Sequence, residues 1–132
     1  MIVDDPRVRF TGLLRGRAID DFYASIDVFA LPSVSESFGI VQVEAMMTGV
    51  PSVTTELAGS RYPVQATGFG KLVPPRDVGA LRRAILEVAA LSPEERAAGR
   101  RKATELFGGS AFLDRHEEAF TELTRQQGEF VG

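Results

Sequence analysis

Two carboxylates and a loop of small residues stand out between residues 32 and 45. Glu36 and Glu44 are separated by seven residues, and Gly39 lies between them. We expect a buried strand to end at Pro32 and a helix to begin near Gly39, where the absent side chain lets backbone approach a phosphate or a sugar. The first amides of a helix have no internal partner and lie at the positive end of its dipole. The segment is therefore suited to binding a diphosphate.

Glu44 falls roughly one turn into the predicted helix, where its carboxylate can accept hydrogen bonds from two vicinal hydroxyls. The rest of residues 40–47 is mostly apolar, and a carboxylate is costly to bury without a partner. Ribose hydroxyls would be one such partner. A nearby arginine, or simple exposure to solvent, is the alternative, and the residues by themselves leave both interpretations open.

Short apolar runs alternate with segments of helical periodicity along the chain. The predicted strands are residues 7–10, 27–31, 51–55 and 71–73. The predicted helices are residues 17–26, residues 40–48, one capped by Asp77, one from Ser92 to a stop at Gly108, and one from Ser110 onward. This alternation predicts an α/β fold with a Rossmann-like parallel sheet and flanking helices. Ligands bind beyond the carboxyl ends of such strands, which directs attention to the loops at residues 32–39 and 56–62.

Composition narrows the classes of function. The chain has 132 residues, 44% of them hydrophobic, and a net charge of −3; these values fit one ordinary domain and give no electrostatic reason to expect nucleic acid as a partner. The absence of cysteine excludes disulfides and thiolate metal sites, and His116 alone cannot form a multi-histidine metal site. The basic residues at 96–102 have Glu94, Glu95 and Glu105 close to them in the sequence, which predicts a solvated helix face. No apolar run approaches the length of a transmembrane segment, and residues 1–6 do not resemble a secretory signal, so the expected location is cytoplasmic.

Four blocks of sequence, in order, resemble one enzyme family. Residues 22–33 resemble the pattern Y-x-x-A-D-V-F-V-x-P-S, residues 44–53 are similar to E-A-M-A-x-G-x-P-V-V, and residues 70–77 resemble G-L-L-V-P-P-G-D. The spacing of Glu36 and Glu44 is similar to the E-x7-E motif of the retaining GT-B glycosyltransferases, the "glycosyl transferases group 1" family. The resemblance extends over about residues 7–125. It implies the C-terminal, donor-binding domain of a GT-B fold.

The resemblance also implies a role for each matching residue. Glu36 would contact hydroxyls of the donor sugar near the developing positive charge, and so act as the catalytic residue. Glu44 would bind the ribose hydroxyls, while Gly12 and Leu13 would border the nucleobase. The backbone that would hold the sugar and the phosphates belongs to Ser37, Phe38, Gly39 and Ile40. The implied reaction is transfer of a sugar from a nucleotide-diphosphate donor with retained configuration, with no metal or other cofactor.

The sequence also departs from the family pattern. Donor domains of the family begin two strands earlier, with a glycine-rich turn, an arginine and a lysine that clamp the diphosphate, and they work with a separate acceptor-binding domain. We therefore expect residues 1–132 to be a single donor-binding domain that is incomplete on its N-terminal side and inactive alone. A partner chain could supply the missing parts, and an exposed edge at residues 28–31 would favour self-association. The alternatives are a non-catalytic nucleotide-binding subunit of a split enzyme, or a fragment without ligand function.

The loop at residues 58–63 also differs from the family pattern. The family usually has G-G-x-P-E near residues 58–63, and this chain has Tyr62 where the acid is expected. No contact is carried over from the family to this loop.

Overall fold

The structure of the protein, a computed structural model, describes residues 4–34 and 39–109. The strands in these ranges are β1 (Phe29–Leu31), β2 (Ser52–Thr55) and β3 (Gly70–Val73). The helices are α1 (Arg17–Ser25), α2 (Ile40–Met47), α3 (Tyr62–Thr67), α4 (Val78–Ala89) and α5 (Pro93–Phe107).

The three strands form one parallel sheet in the order β1-β2-β3. Ala30 lies opposite Val53, and Val53 lies opposite Lys71 on the far side of β2. All four residues of the central strand β2 are buried. The parallel α/β fold predicted from the sequence is confirmed, and β1 and β3 form the edges of the sheet within the described residues.

Helices cover both faces of the sheet. Val53 and Val73 pack against Ala84 and Val88 of α4 on one face. On the other face Leu72 packs against a cluster formed by three helices and the residue before β3. Its buried members are Val43 and Met46 of α2, Val64 of α3, Phe69, and Ala103 and Phe107 of α5. Because adjacent residues of a strand point to opposite faces, Leu72 and Val73 serve the two layers in turn. α1 joins the assembly through Tyr23, which packs against Ala45 and Val50.

Local capping signals define the starts of α4 and α5. The Asp77 carboxylate accepts a hydrogen bond from the Ala80 amide at 2.9 Å. Ser92 and Glu95 form a capping box, in which each side chain accepts a hydrogen bond from the other residue's backbone amide. Both predicted helix starts are confirmed.

Arg96 connects α5 to the rest of the fold. Its guanidinium donates to the carbonyl of Asp27 at 2.8 Å, and its side chain also donates to the carbonyls at the end of α4 and just beyond it, Val88, Ala89 and Leu91. The final carbonyls of a helix have no internal partner, so the half-buried Arg96 satisfies them. The predicted solvated face is therefore wrong for Arg96, although Arg100, Arg101 and Lys102 are exposed.

Two predictions about secondary structure are wrong. Residues 7–10 form no strand, and Val8 and Phe10 are exposed; a strand needs a neighbour for its ladder bonds, and no described segment pairs with this one. No helix was predicted between residues 56 and 70, and the structure has α3 there. Pro63 and Gly68 lie near the start and at the end of that helix, where proline and glycine are common.

Other expectations fall outside the described ranges. The predicted helix from Ser110 onward, with His116, lies there. Within the described ranges no helix is long and apolar enough to cross a membrane.

Close packing between α5 and Phe69 leads to a stability prediction. A Cβ added at Gly99 would lie 2.3 Å from ring carbons of Phe69, whose side chain is buried. We expect Gly99→Ala to destabilise the fold by ~1–3 kcal/mol, the usual effect of overpacking a core. The matched control is Gly79→Ala in α4, where the nearest atom, on the Arg83 side chain, is 3.4 Å away; alanine is the better helix former by up to ~1 kcal/mol. Urea unfolding of both variants measures the difference, and equal effects at the two positions would contradict this account of the packing.

Candidate functional site

The carboxyl ends of the three parallel strands bring three loops to one edge of the sheet. β1 leads into residues 32–34, β2 into residues 56–61 and β3 into residues 74–77. Helix α2 begins at this edge, directly after the first loop. The two loops expected from the sequence to form the site are therefore neighbours, because β1 and β2 are adjacent in the sheet.

Gly39 holds the turn into α2. Its backbone is left-handed, with φ 71° and ψ 57°, a conformation that glycine adopts without steric cost. A Cβ here would lie 2.9 Å from the Gln42 side-chain nitrogen and 3.0 Å from a methyl of Leu31. No described side chain caps the start of α2, and among its first amides that of Gln42 donates to the Gly39 carbonyl at 3.0 Å. The amides of Ile40 and Val41 make no hydrogen bond within the described residues.

Glu44 lies one turn further along α2 and is exposed. Its carboxylate accepts a hydrogen bond from the Tyr23 hydroxyl at 3.0 Å, and no described arginine pairs with it. The carboxylate is therefore exposed to solvent, one of the possibilities that the sequence left open, and the ribose contact stays a prediction. Its side chain is open to solvent, and a phenol from α1 fixes one of its oxygens.

Gln42 was missed by the sequence analysis and is the most connected polar side chain of the site. It is fully buried. Its amide nitrogen donates to the Ser60 carbonyl at 2.7 Å, and its amide oxygen accepts from the Ser52 hydroxyl at 3.1 Å. One side chain thus joins the first turn of α2 to the start of β2 and to the loop after β2. No local pattern indicates this role, because Ser60 is 18 residues away.

Two further hydrogen bonds hold the same edge. The Ser60 hydroxyl donates to the Thr55 carbonyl at 3.2 Å, and the Thr54 hydroxyl donates to the Leu31 carbonyl at 3.3 Å. Ser60 and Thr54 are buried. The end of β1 and the loop after β2 are therefore held by polar side-chain contacts as well as by the sheet.

A small cavity of about 180 Å³ lies between the loops after β1 and β3. Pro32, Thr55 and Arg76 contribute to its wall. Arg76 has a positive φ of 60° at the position where the family pattern G-L-L-V-P-P-G-D has glycine. The chain keeps the turn that glycine favours but places an exposed basic side chain on it.

The remaining candidate residues are not brought together by the described structure. Glu36, Ser37 and Phe38 lie outside the described ranges. Gly12 has φ 70°, Leu13 is 79% exposed, and both precede α1. No described hydrogen bond joins either of them to α2. Across the described residues, no group of three or more histidine, cysteine, aspartate or glutamate side chains could hold a metal ion.

The chain is similar to several known proteins. Residues 2–90 match the family described as Glycosyl transferases group 1. The D-inositol 3-phosphate glycosyltransferase of Saccharomonospora viridis is 38% identical over 101 residues, which cover 76% of this chain and 23% of that protein. The GDP-mannose-dependent alpha-mannosyltransferase of Mycolicibacterium smegmatis is 45% identical over 68 residues, covering 52% of this chain and 18% of that protein.

A solved structure agrees with these sequence matches. The sucrose-phosphate synthase of Thermosynechococcus elongatus superposes with a TM-score of 0.72 and 29% identity, over 91% of this chain and 31% of that chain. The chain therefore belongs to the Glycosyl transferases group 1 family, and its fold is that of part of a GT-B glycosyltransferase domain. It spans less than a quarter of the length of both of these curated relatives.

The buried bonds of Gln42 lead to a prediction about the site's stability. Replacing Gln42 with leucine keeps the size of the side chain but leaves the Ser60 carbonyl and the Ser52 hydroxyl without this partner. A buried polar group that loses its partner costs ~1–3 kcal/mol, so Gln42→Leu should lower the free energy of unfolding by at least that amount. The same substitution at Gln65, which is exposed on α3, is the control and should change little. Urea unfolding would contradict this role if both variants behaved alike.

Proposed function

We propose that this chain forms the nucleotide-sugar site of a retaining glycosyltransferase, which transfers a sugar from a nucleotide-diphosphate donor to an acceptor. The observation that carries the proposal is the position of Glu44. Its exposed carboxylate lies one turn after the start of α2, which no described side chain caps, at the carboxyl edge of a parallel sheet. A helix start suited to binding a diphosphate and a carboxylate suited to binding hydroxyls therefore lie on the same helix.

The diphosphate would bind at the start of α2. Backbone amides there lie at the positive end of the helix dipole, which favours an anion. Gly39 adopts the left-handed turn at this start, where a Cβ would meet the Gln42 and Leu31 side chains. Together with Ser37, Phe38 and Ile40, its backbone would hold the phosphates and the donor sugar.

The ribose would bind at Glu44. Glu44 lies four positions after Ile40, a rise of about 6 Å along the helix axis. One ligand can therefore reach both the amides and the carboxylate. A carboxylate accepts two hydrogen bonds in parallel from neighbouring hydroxyls, and hydrogen bonds to a charged group are the stronger kind. Gly12 and Leu13 would border the base.

The transfer step would depend on Glu36. In the reaction that the family resemblance implies, the bond between the anomeric carbon and the diphosphate breaks. The acceptor oxygen bonds to the same face of that carbon, and its proton passes to the departing diphosphate. Glu36 would stabilise the positive charge that develops on the sugar, while fixed backbone donors would stabilise the departing diphosphate without a metal. The nucleotide-dependent transferase among the relatives, which uses GDP-mannose by its name, supports a donor of this class.

A comparison of two glutamate variants tests the donor site. Thermal unfolding is followed with and without UDP, GDP and ADP, each in large excess, because a ligand bound only by the folded state raises the midpoint. We expect one nucleotide to raise it for the unsubstituted chain. Glu44→Gln should weaken the affinity about tenfold or more, since a hydrogen bond to a charged group contributes ~1.5–3 kcal/mol. Glu105→Gln on α5 removes the same charge from an exposed helical position and should leave the affinity unchanged.

The outcomes separate the proposal from its alternatives. A midpoint that none of the three nucleotides moves would favour a chain without ligand function of its own. Equal affinities for the Glu44→Gln and Glu105→Gln variants would contradict the ribose contact. Nucleotide binding by a chain that shows no transfer until a second chain is added would favour the subunit of a split enzyme.

A further inference from the structure

Tyr23 is a buried phenol that reaches a functional carboxylate. Its ring is 7% exposed and packs between Phe22 and Phe29, with ring centroids 5.7 and 6.3 Å away. Its hydroxyl donates to an oxygen of Glu44 at 3.0 Å. The donor therefore stands on a ring that its neighbours hold in place, while the acceptor is an exposed and otherwise flexible side chain.

We propose that Tyr23 is a positioning residue for nucleotide binding: it holds the Glu44 carboxylate in the orientation that accepts the two hydroxyls of a ribose. The inference rests on the proposed function. A free glutamate side chain loses rotamer freedom when a ligand immobilises it. A carboxylate already fixed by a buried donor has lost that freedom before the ligand arrives, so the affinity for the ribose is higher.

The hydrogen bond leaves capacity for the ligand. An ionised carboxylate has two oxygens with about four acceptor positions, and the Tyr23 hydroxyl uses one of them, on Oε2. The other oxygen makes no hydrogen bond to any described residue. One ribose hydroxyl can therefore donate to each oxygen while Tyr23 stays in place.

The Tyr23 hydroxyl remains a hydrogen-bond donor at neutral pH. Burial raises the pKa of Tyr23, and the negative charge of Glu44 and its hydrogen bond raise it further. Tyr23 therefore keeps its proton around neutral pH. Its contribution to stability is present below the ordinary tyrosine pKa of about 10 and is lost as the pH rises above that value, because the unfolded chain ionises first.

A purely structural role is the competing explanation. A buried tyrosine hydroxyl usually finds a hydrogen-bond partner, and Glu44 would satisfy it without any effect on a ligand. Such a role predicts a change in stability when the hydroxyl is removed, but no change in the preference for ribose. The two explanations therefore differ in a ligand measurement.

The experiment is carried out in a chain that carries Tyr62→Phe, so that Tyr23 is its single tyrosine. It compares this chain with the same chain after Tyr23→Phe. Dissociation constants are measured for UDP, GDP and ADP, and for the 2′,3′-dideoxy form of each. We expect Tyr23→Phe to weaken binding of the ribonucleotide about 2- to 12-fold, the effect of fixing one flexible side chain. Binding of the dideoxy form should not change. In a Glu44→Gln background the same substitution should have no further effect, because Tyr23 acts through Glu44.

A second measurement tests the hydrogen bond without a ligand. Tyrosinate absorbance of the single-tyrosine chain should rise at lower pH in the Glu44→Gln variant than with Glu44 present, because the charge that raises the pKa of Tyr23 is gone. An unchanged titration would overturn the inference whether or not a nucleotide binds. If the Tyr23→Phe variant kept the full preference for the ribonucleotide over its dideoxy form, the inference would also be overturned, while the proposed function would stay intact. No ribose preference in the chain with Tyr23 and Glu44 intact would overturn both.

Discussion

The side-chain amide of Gln42 lies fully buried between helix α2, the start of β2 and the loop that follows β2. Its two hydrogen bonds, to the Ser60 carbonyl and from the Ser52 hydroxyl, join parts of the chain that the sheet alone does not connect. Gly39 packs directly against this amide, so the left-handed turn into α2 depends on the same contact. The start of α2, where the proposed diphosphate site lies, is therefore set by a buried polar bond as well as by apolar packing.

The rest of the fold fixes where that helix stands. Three parallel strands place their carboxyl ends on one edge, and helices on both faces bury them. Arg96 joins α5 to the end of α4 and to the approach to β1. α1 adds a side chain of its own, since Tyr23 packs on α2 and reaches Glu44. Membership of the Glycosyl transferases group 1 family and the superposition on a sucrose-phosphate synthase agree with this arrangement.

Local signals were enough to predict most of the elements. Asp77, Ser92 and Glu95 act within one helical turn, so their capping roles could be read from neighbouring residues. The strand predicted at residues 7–10 is absent, because a strand needs a neighbouring strand to pair with and the local sequence pattern does not reveal whether there is one. Gln42 and Tyr23 were missed as site residues for a related reason: their partners are 18 and 21 residues away. Glu44 stays a predicted site residue; the apolar helix sequence left open whether its side chain faces solvent, and the structure exposes it.

The central claim is that a nucleotide binds at the start of α2. Amide NMR spectra of the isotope-labelled chain, recorded with increasing UDP, GDP or ADP, test it residue by residue. The account predicts that one nucleotide produces its largest shifts at the amides of Gly39, Ile40 and Val41, with smaller changes in the loop at residues 56–61. Shifts confined to the exposed surface of α5, or spectra unchanged by all three nucleotides, would contradict it.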